Sequence, residues 1–328
     1  MDAEFAYFFR QSIVRDGAYS LQPPSVRAWL HGLAFYAIER EHGERAPSPP
    51  QLNIEQDLPV EPHPTDNVAL ELSQHAHRAL AVVSQKNSGM QTDLSKMLTL
   101  YLRRAAEHAE NQFQNEHALH CWQRLSEFTR GTEQTACWYR AGRVAALSGK
   151  TERAIDLFER MLGAAHSAGD ARTKGIAQGK LAVIYQNTGQ TELAERSYSS
   201  ALEIHREVGN RKFEGIELAN QATLMDSAGH RQLAEDAYAK ALAIYREIGA
   251  RDLMCNVMVN MGSMYASHGQ HDLAEANFDH VLELLKKTPD RRLQGIALYN
   301  LAGLYRSTGR GKECRQALED ALILHRAV

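Results

Sequence analysis

Over the C-terminal 60% of the chain, apolar positions recur in steps of three and four rather than two, which is the period of a buried helix face. In the stretch after Gly189, Ala194, Tyr198 and Leu202 follow in steps of four and fall on one side of a helix. The stretch before it, AQGKLAVIYQNTG, places Leu181, Ile184 and Tyr185 at helical spacing and then reaches the glycine. A glycine there supplies the left-handed residue that ends a helix. The unit is therefore helix, glycine turn, helix.

This unit repeats. Gly149, Gly189, Gly229, Gly269 and Gly309 stand 40 residues apart. Five residues after each comes a small side chain (Ala154, Ala194, Ala234, Ala274, then Cys314), and nine after it a large apolar one (Phe158, Tyr198, Tyr238, Phe278, Leu318). Leu162, Leu202, Leu242, Leu282 and Leu322 complete the stripe, and Gly142, Ala182, Ala222, Gly262 and Ala302 stand seven before each glycine. Small residues on both helices predict close crossings, with a large neighbour filling the space that a missing side chain leaves. A hairpin of this kind cannot cover its own apolar face and must stack on the next. The fold expected is all-α, a right-handed α-solenoid. Turns between units are marked by Gly169-Asp170, Gly209-Asn210 and Gly249-Ala250, with Pro289-Asp290 once in their place.

Helix pairs with a small residue in the first helix, a glycine turn, and then alanine and an aromatic in the second resemble tetratricopeptide repeats. The period of 40 is similar to the longer-helix members found in kinesin light chains and bacterial peptide-sensing regulators. The resemblance covers residues 132–328 and implies an interaction protein. Upstream, Ala106, Ala118, Trp122 and Leu125 sit 36 residues before Gly142, Ala154, Phe158 and Met161, as a degenerate first repeat would. The layout expected is a helical N-terminal segment (1–45), a linker or long loop (46–66), a helical region with the degenerate repeat (67–131) and five 40-residue repeats (132–328). Residues 46–66 hold six of the nine prolines, which excludes helix.

The N-terminal segment resembles the end of the winged-helix region in bacterial signal-transduction ATPases and ATPase-linked serine/threonine kinases. The matching positions are Phe9, Arg15, Asp16, Ala18, Tyr19, Arg27, Leu30, His31, Ala37 and Glu39, and Gln11 departs from the histidine more usual in that family. The resemblance implies that the chain is the sensing part of a larger signalling machine.

Composition narrows function further. Formal net charge is −3 and no run of Lys or Arg stands out, so a nucleic-acid backbone or an anionic membrane is not an expected partner. No stretch of about 18 apolar residues occurs, and the first residues are acidic, so neither a membrane span nor a leader is expected and the chain reads as cytoplasmic. Cys121, Cys137, Cys255 and Cys314 are scattered without a CxxC pair, as reduced core thiols would be. Gly149-Lys150-Thr151 imitates the end of a phosphate-binding loop, but Val144 stands where that loop needs glycine. His108, His117, His120 and Cys121 cluster without a fourth ligand of suitable placement, so a metal-dependent enzyme is the less favoured reading. No cofactor and no catalytic residue is expected.

The site expected is a groove lined by the first helices. Two residues before each small first-helix position stand Arg140, Lys180, Asn220, Asn260 and Asn300. A row of amides offers donors and acceptors to the backbone of an extended peptide, or else braces neighbouring helices. Arg143, Thr223 and Ser263 lie one turn on, and Asn187 one turn further; Arg140, Arg143 and Lys180 would favour an acidic segment. The partner expected is a protein or extended peptide, held by a sensor arm, a stand-alone peptide receptor or an assembly chaperone. A second copy could cover the stripe around Leu318, Ala321 and Leu322 on the last helix.

Overall fold

The computed structural model describes residues 19–56, 58–81, 88–286 and 290–326. Phe9, Gln11, Arg15, Asp16 and Ala18, on which much of the winged-helix resemblance rests, lie outside the described residues. Among those described there are fourteen α-helices and no strand. They form two compact units, residues 1–168 and 169–328.

The first unit contains α1 (Pro24–Glu41), a short 3₁₀ turn (Pro64–Val68), α2 (Ala69–Leu80), α3 (Ser88–Asn111), α4 (Asn115–Phe128), α5 (Gly131–Leu147) and α6 (Thr151–Ala168), with sequence neighbours packed against one another. The strict repeat is thus divided: its first hairpin, α5 with α6, belongs to this unit. The proline-rich segment is fastened rather than free. Arg104, buried on α3, donates from Nε to Asp66 Oδ1 (2.6 Å), from Nη1 to the Pro47 carbonyl (3.2 Å) and from Nη2 to the Glu61 carbonyl (2.8 Å). Proline cannot donate to a helix or sheet, and this guanidinium accepts the task of binding the segment's unpaired carbonyls. Ala46 and Leu52 of the segment are buried. Nearby, Glu39 of α1 accepts from Tyr101 Oη (2.8 Å) and from Arg45 Nε (3.3 Å).

The second unit is four hairpins: α7 (Ala171–Asn187) with α8 (Thr191–Glu207), α9 (Arg211–Ser227) with α10 (Arg231–Glu247), α11 (Arg251–Ser267) with α12 (His271–Leu285), and α13 (Arg291–Ser307) with α14 (Gly311–Arg326). Each first helix ends at its ladder glycine with positive φ, 75° at Gly189 and 81° at Gly229. The following N–H then reaches back to the last turn, as Gln190 N does to Tyr185 O at 2.8 Å, satisfying a carbonyl that the helix leaves unpaired. Asp170 and Asp290 cap α7 and α13 by accepting from the N–H groups of Thr173 and Leu293.

The small-residue ladder works as the spacing implies. A Cβ on Gly262 would stand 2.6 Å from Phe278 Cε1, and in the first unit one on Gly142 would stand 2.7 Å from Phe158. Ala154, Ala194, Ala234 and Ala274 are wholly buried. A second set of close approaches escaped the sequence reading. Gly175 accommodates His205, Gly215 accommodates Tyr245, and Gly179 leaves room for the Glu217 carboxylate.

Candidate functional site

In the second unit the first helices of successive hairpins touch one another directly, which puts α7, α9, α11 and α13 in one layer. The open side of that layer carries the expected rows. Asn260 is exposed, and Lys180, Asn220 and Asn300 are half-buried. Asn300 Nδ2 donates to Ser263 Oγ on the neighbouring first helix (3.4 Å), while Asn220 Nδ2 stands 3.5 Å from Glu217 Oε2 on its own helix. Of the three amides, Asn300 alone bridges to a neighbouring first helix. Thr223 shares a hydrogen bond with Tyr238 Oη (2.9 Å), and Ser263 Oγ donates to the Val259 carbonyl (3.0 Å). Asn187 is exposed near the end of α7.

The row ends in a cleft of about 270 Å³ between α11, α12, α13 and α14. Its walls are Phe278 and Leu318; Tyr299, Asn300, Ser263 and Arg306 stand around it. Gly303 occupies the register position held by Val183, Thr223 and Ser263 in the other hairpins, and a Cβ there would meet nothing within 4 Å, so the glycine opens the cleft. Tyr299 is 67% exposed and Leu318 44%, leaving apolar surface beside the Asn300 amide.

Beneath the row lies a group that the sequence reading passed over. Glu217 is 1% exposed, and burial pushes its carboxyl up to about 7 against the pull of Lys180 and Asn220. It is thus a hydrogen-bonding acid at mildly acidic pH and a carboxylate above neutrality. Its register partners Ala177, Val257 and Ala297 are buried and apolar, so the one clue in the sequence was a glutamate in an apolar column. His205 is also fully buried, and neither ring nitrogen has a hydrogen-bond partner among the described residues. Desolvation holds its pKa down, to about 4, so the ring stays neutral against Phe213.

Two expected groove cations belong to the first unit, and their surroundings differ from an open groove. Arg140 is buried, with Nη1 3.4 Å from Glu110 Oε2 and its guanidinium over the Trp122 ring. Glu110 also accepts from Trp122 Nε1 at 2.6 Å, so Arg140 is tied into the α3–α4 hairpin rather than offered as free charge. The Arg143 guanidinium lies over Tyr139.

The histidine–cysteine cluster does not share a face. Cys121 is buried, its thiol pushed up to about 11 by desolvation, whereas His117 and His120 are exposed. Among the described residues no group of three or more His, Cys, Asp or Glu side chains is arranged to hold a metal, and no helix is long and apolar enough to cross a membrane. On α14, Leu318, Leu322 and Ile323 are exposed.

Residues 174–247 and 253–327, both within the second unit, match the tetratricopeptide-repeat family model. Among solved structures, the chain is similar to the apo form of RapI, at 12% identity and TM-score 0.57, with 91% of this chain and 97% of that one aligned. It is also similar to a Rap protein complexed with Competence and Sporulation Factor (16% identity, TM-score 0.58, 79% and 75% of the two chains). A third is NprR in complex with its cognate peptide NprX (15% identity, TM-score 0.52, 80% and 78%). At such identities the likeness is one of fold. No curated protein sequence matches the chain.

Proposed function

We propose that the chain is a non-catalytic receptor for an extended peptide or peptide-like segment of a protein, bound along the open side of α7, α9, α11 and α13. The observation that carries this reading is the row of Asn220, Asn260 and Asn300 running into the cleft beside Tyr299 and Leu318. Amides at helical-repeat spacing suit a backbone, which presents the same donors and acceptors at every residue, and the cleft suits one apolar side chain. NprR was solved with its cognate peptide and the Rap protein with Competence and Sporulation Factor, which supports a binding use of this fold. A place as the cytoplasmic sensing arm of a bacterial signalling protein agrees with the resemblance of the N-terminal segment and with this receptor role.

A display selection of random peptides on the intact chain tests the proposal. The variant Asn220→Ala/Asn260→Ala/Asn300→Ala, checked for unchanged helicity, should bind the selected peptides roughly tenfold or more weaker, since each lost hydrogen bond is worth about 1 kcal/mol. Equal affinity for the variant removes the site from this row.

A further inference from the structure

The first unit holds a second cleft, of about 250 Å³, that lies over α3 between α2 and α4. Leu98 and Leu102, both buried, form its floor. Its walls carry two guanidinium groups, Arg78 from α2 and Arg124 from α4, beside the imidazoles of His77 and His120. Among the described residues no carboxylate lines it. Glu127 accepts from Nη1 of Arg124 (3.0 Å). Arg78 has no carboxylate partner among the described residues; burial, with a smaller contribution from the Arg78 charge, holds down the protonation of His31, His75 and His77. Phe128 backs the wall, with the His77 ring 5.8 Å and the Arg124 guanidinium 5.6 Å from its centroid, which orders both groups before anything binds.

Arg124 is met only in part by Glu127 and the Phe128 ring, and Arg78 has no carboxylate partner among the described residues, so two guanidinium groups over an apolar floor favour an anion that arrives from outside. We propose that this cleft is a binding site for a small organic anion, its acidic head held by Arg78 and Arg124 and its apolar body resting on Leu98 and Leu102. The head is a phosphoryl or carboxylate group, which share the oxygen fork that a guanidinium pairs with. His77 and His120 add ring N–H groups at the sides.

Calorimetry on the full chain with phenyl phosphate, phenylacetate, inorganic phosphate and phenol tests this. One molar equivalent of phenyl phosphate or phenylacetate should bind saturably, inorganic phosphate and phenol each roughly tenfold weaker or not at all. Tighter phenyl phosphate assigns a phosphoryl head and tighter phenylacetate a carboxylate. The double variant Arg78→Gln/Arg124→Gln, with helicity and melting unchanged, should lose roughly tenfold or more in affinity. Glu127→Gln, which releases Arg124 from its ion pair, should bind at least as tightly as the parent chain. Absence of saturable binding by both organic anions overturns the proposal. So do phenol binding as well as the anions, undiminished affinity in the double variant, or weakened binding in Glu127→Gln.

Discussion

Replacing Glu217 by glutamine should abolish a pH dependence of stability that arises in the second unit. The folded carboxyl has its pKa raised to about 7 by burial, against 4.5 for an ordinary glutamate. The folded chain therefore binds this proton more tightly than the unfolded chain does. Stability from the neutral acid is complete below about pH 4.5 and declines as pH rises to about 7. At about 1.4 kcal/mol per pH unit, the loss comes to about 3–4 kcal/mol above neutrality. His205 runs the other way. Its folded pKa of about 4 lies below the usual 6.5, so the unfolded chain binds that proton more tightly and stability falls as pH drops from about 6.5 to 4. Between pH 4.5 and 6.5 the two slopes oppose each other, and the parent chain alone conceals both. The difference between parent and Glu217→Gln cancels the histidine. Urea denaturation followed by far-ultraviolet circular dichroism, at pH values from 4.5 to 8.5, should show the two curves converging at the acid end. At the alkaline end the variant should be more stable by up to about 3–4 kcal/mol. Parallel curves would show that the carboxylate of Glu217 is well solvated or fully neutralised by Lys180, and the reasoning would fail.

His205→Leu, which installs the residue that Leu285 provides at the equivalent position, should stabilise the chain by about 1–2 kcal/mol at pH 7 by removing two unpartnered buried nitrogens; it should also abolish the acid-side decline, and unchanged acid melting would refute this. Gly262→Val should cost about 1–3 kcal/mol or more, because its Cβ would stand 2.6 Å from Phe278, whereas Gly303→Ala should be neutral or stabilising, having nothing within 4 Å. Thermal melting of the two variants compares these costs directly, and equal effects would remove the packing explanation.

The amino-acid sequence by itself determined the hairpins, their glycine turns and the close crossings of one helix pair. Each of these rests on contacts within one 40-residue period, and five copies in register make a local rule visible. The position of Asn220, Asn260 and Asn300 on one row was legible for the same reason. What a row does to its neighbours was not. Arg140 shares a register with Lys180 and Asn220, yet Glu110 and Trp122, from a hairpin with different spacing, bury and pair it. Gly179 and Glu217 stand 38 residues apart and meet only because successive first helices touch. Arg104 grips carbonyls 57 and 43 residues before it, across a proline-rich stretch that reads as unstructured when taken alone. The cationic cleft gathers Arg78 and Arg124 from helices separated by the whole of α3. Periodic short-range packing writes itself into the spacing of residue types. Desolvation and electrostatic pairing depend on which distant side chains share a small volume, and only the tertiary structure decided that.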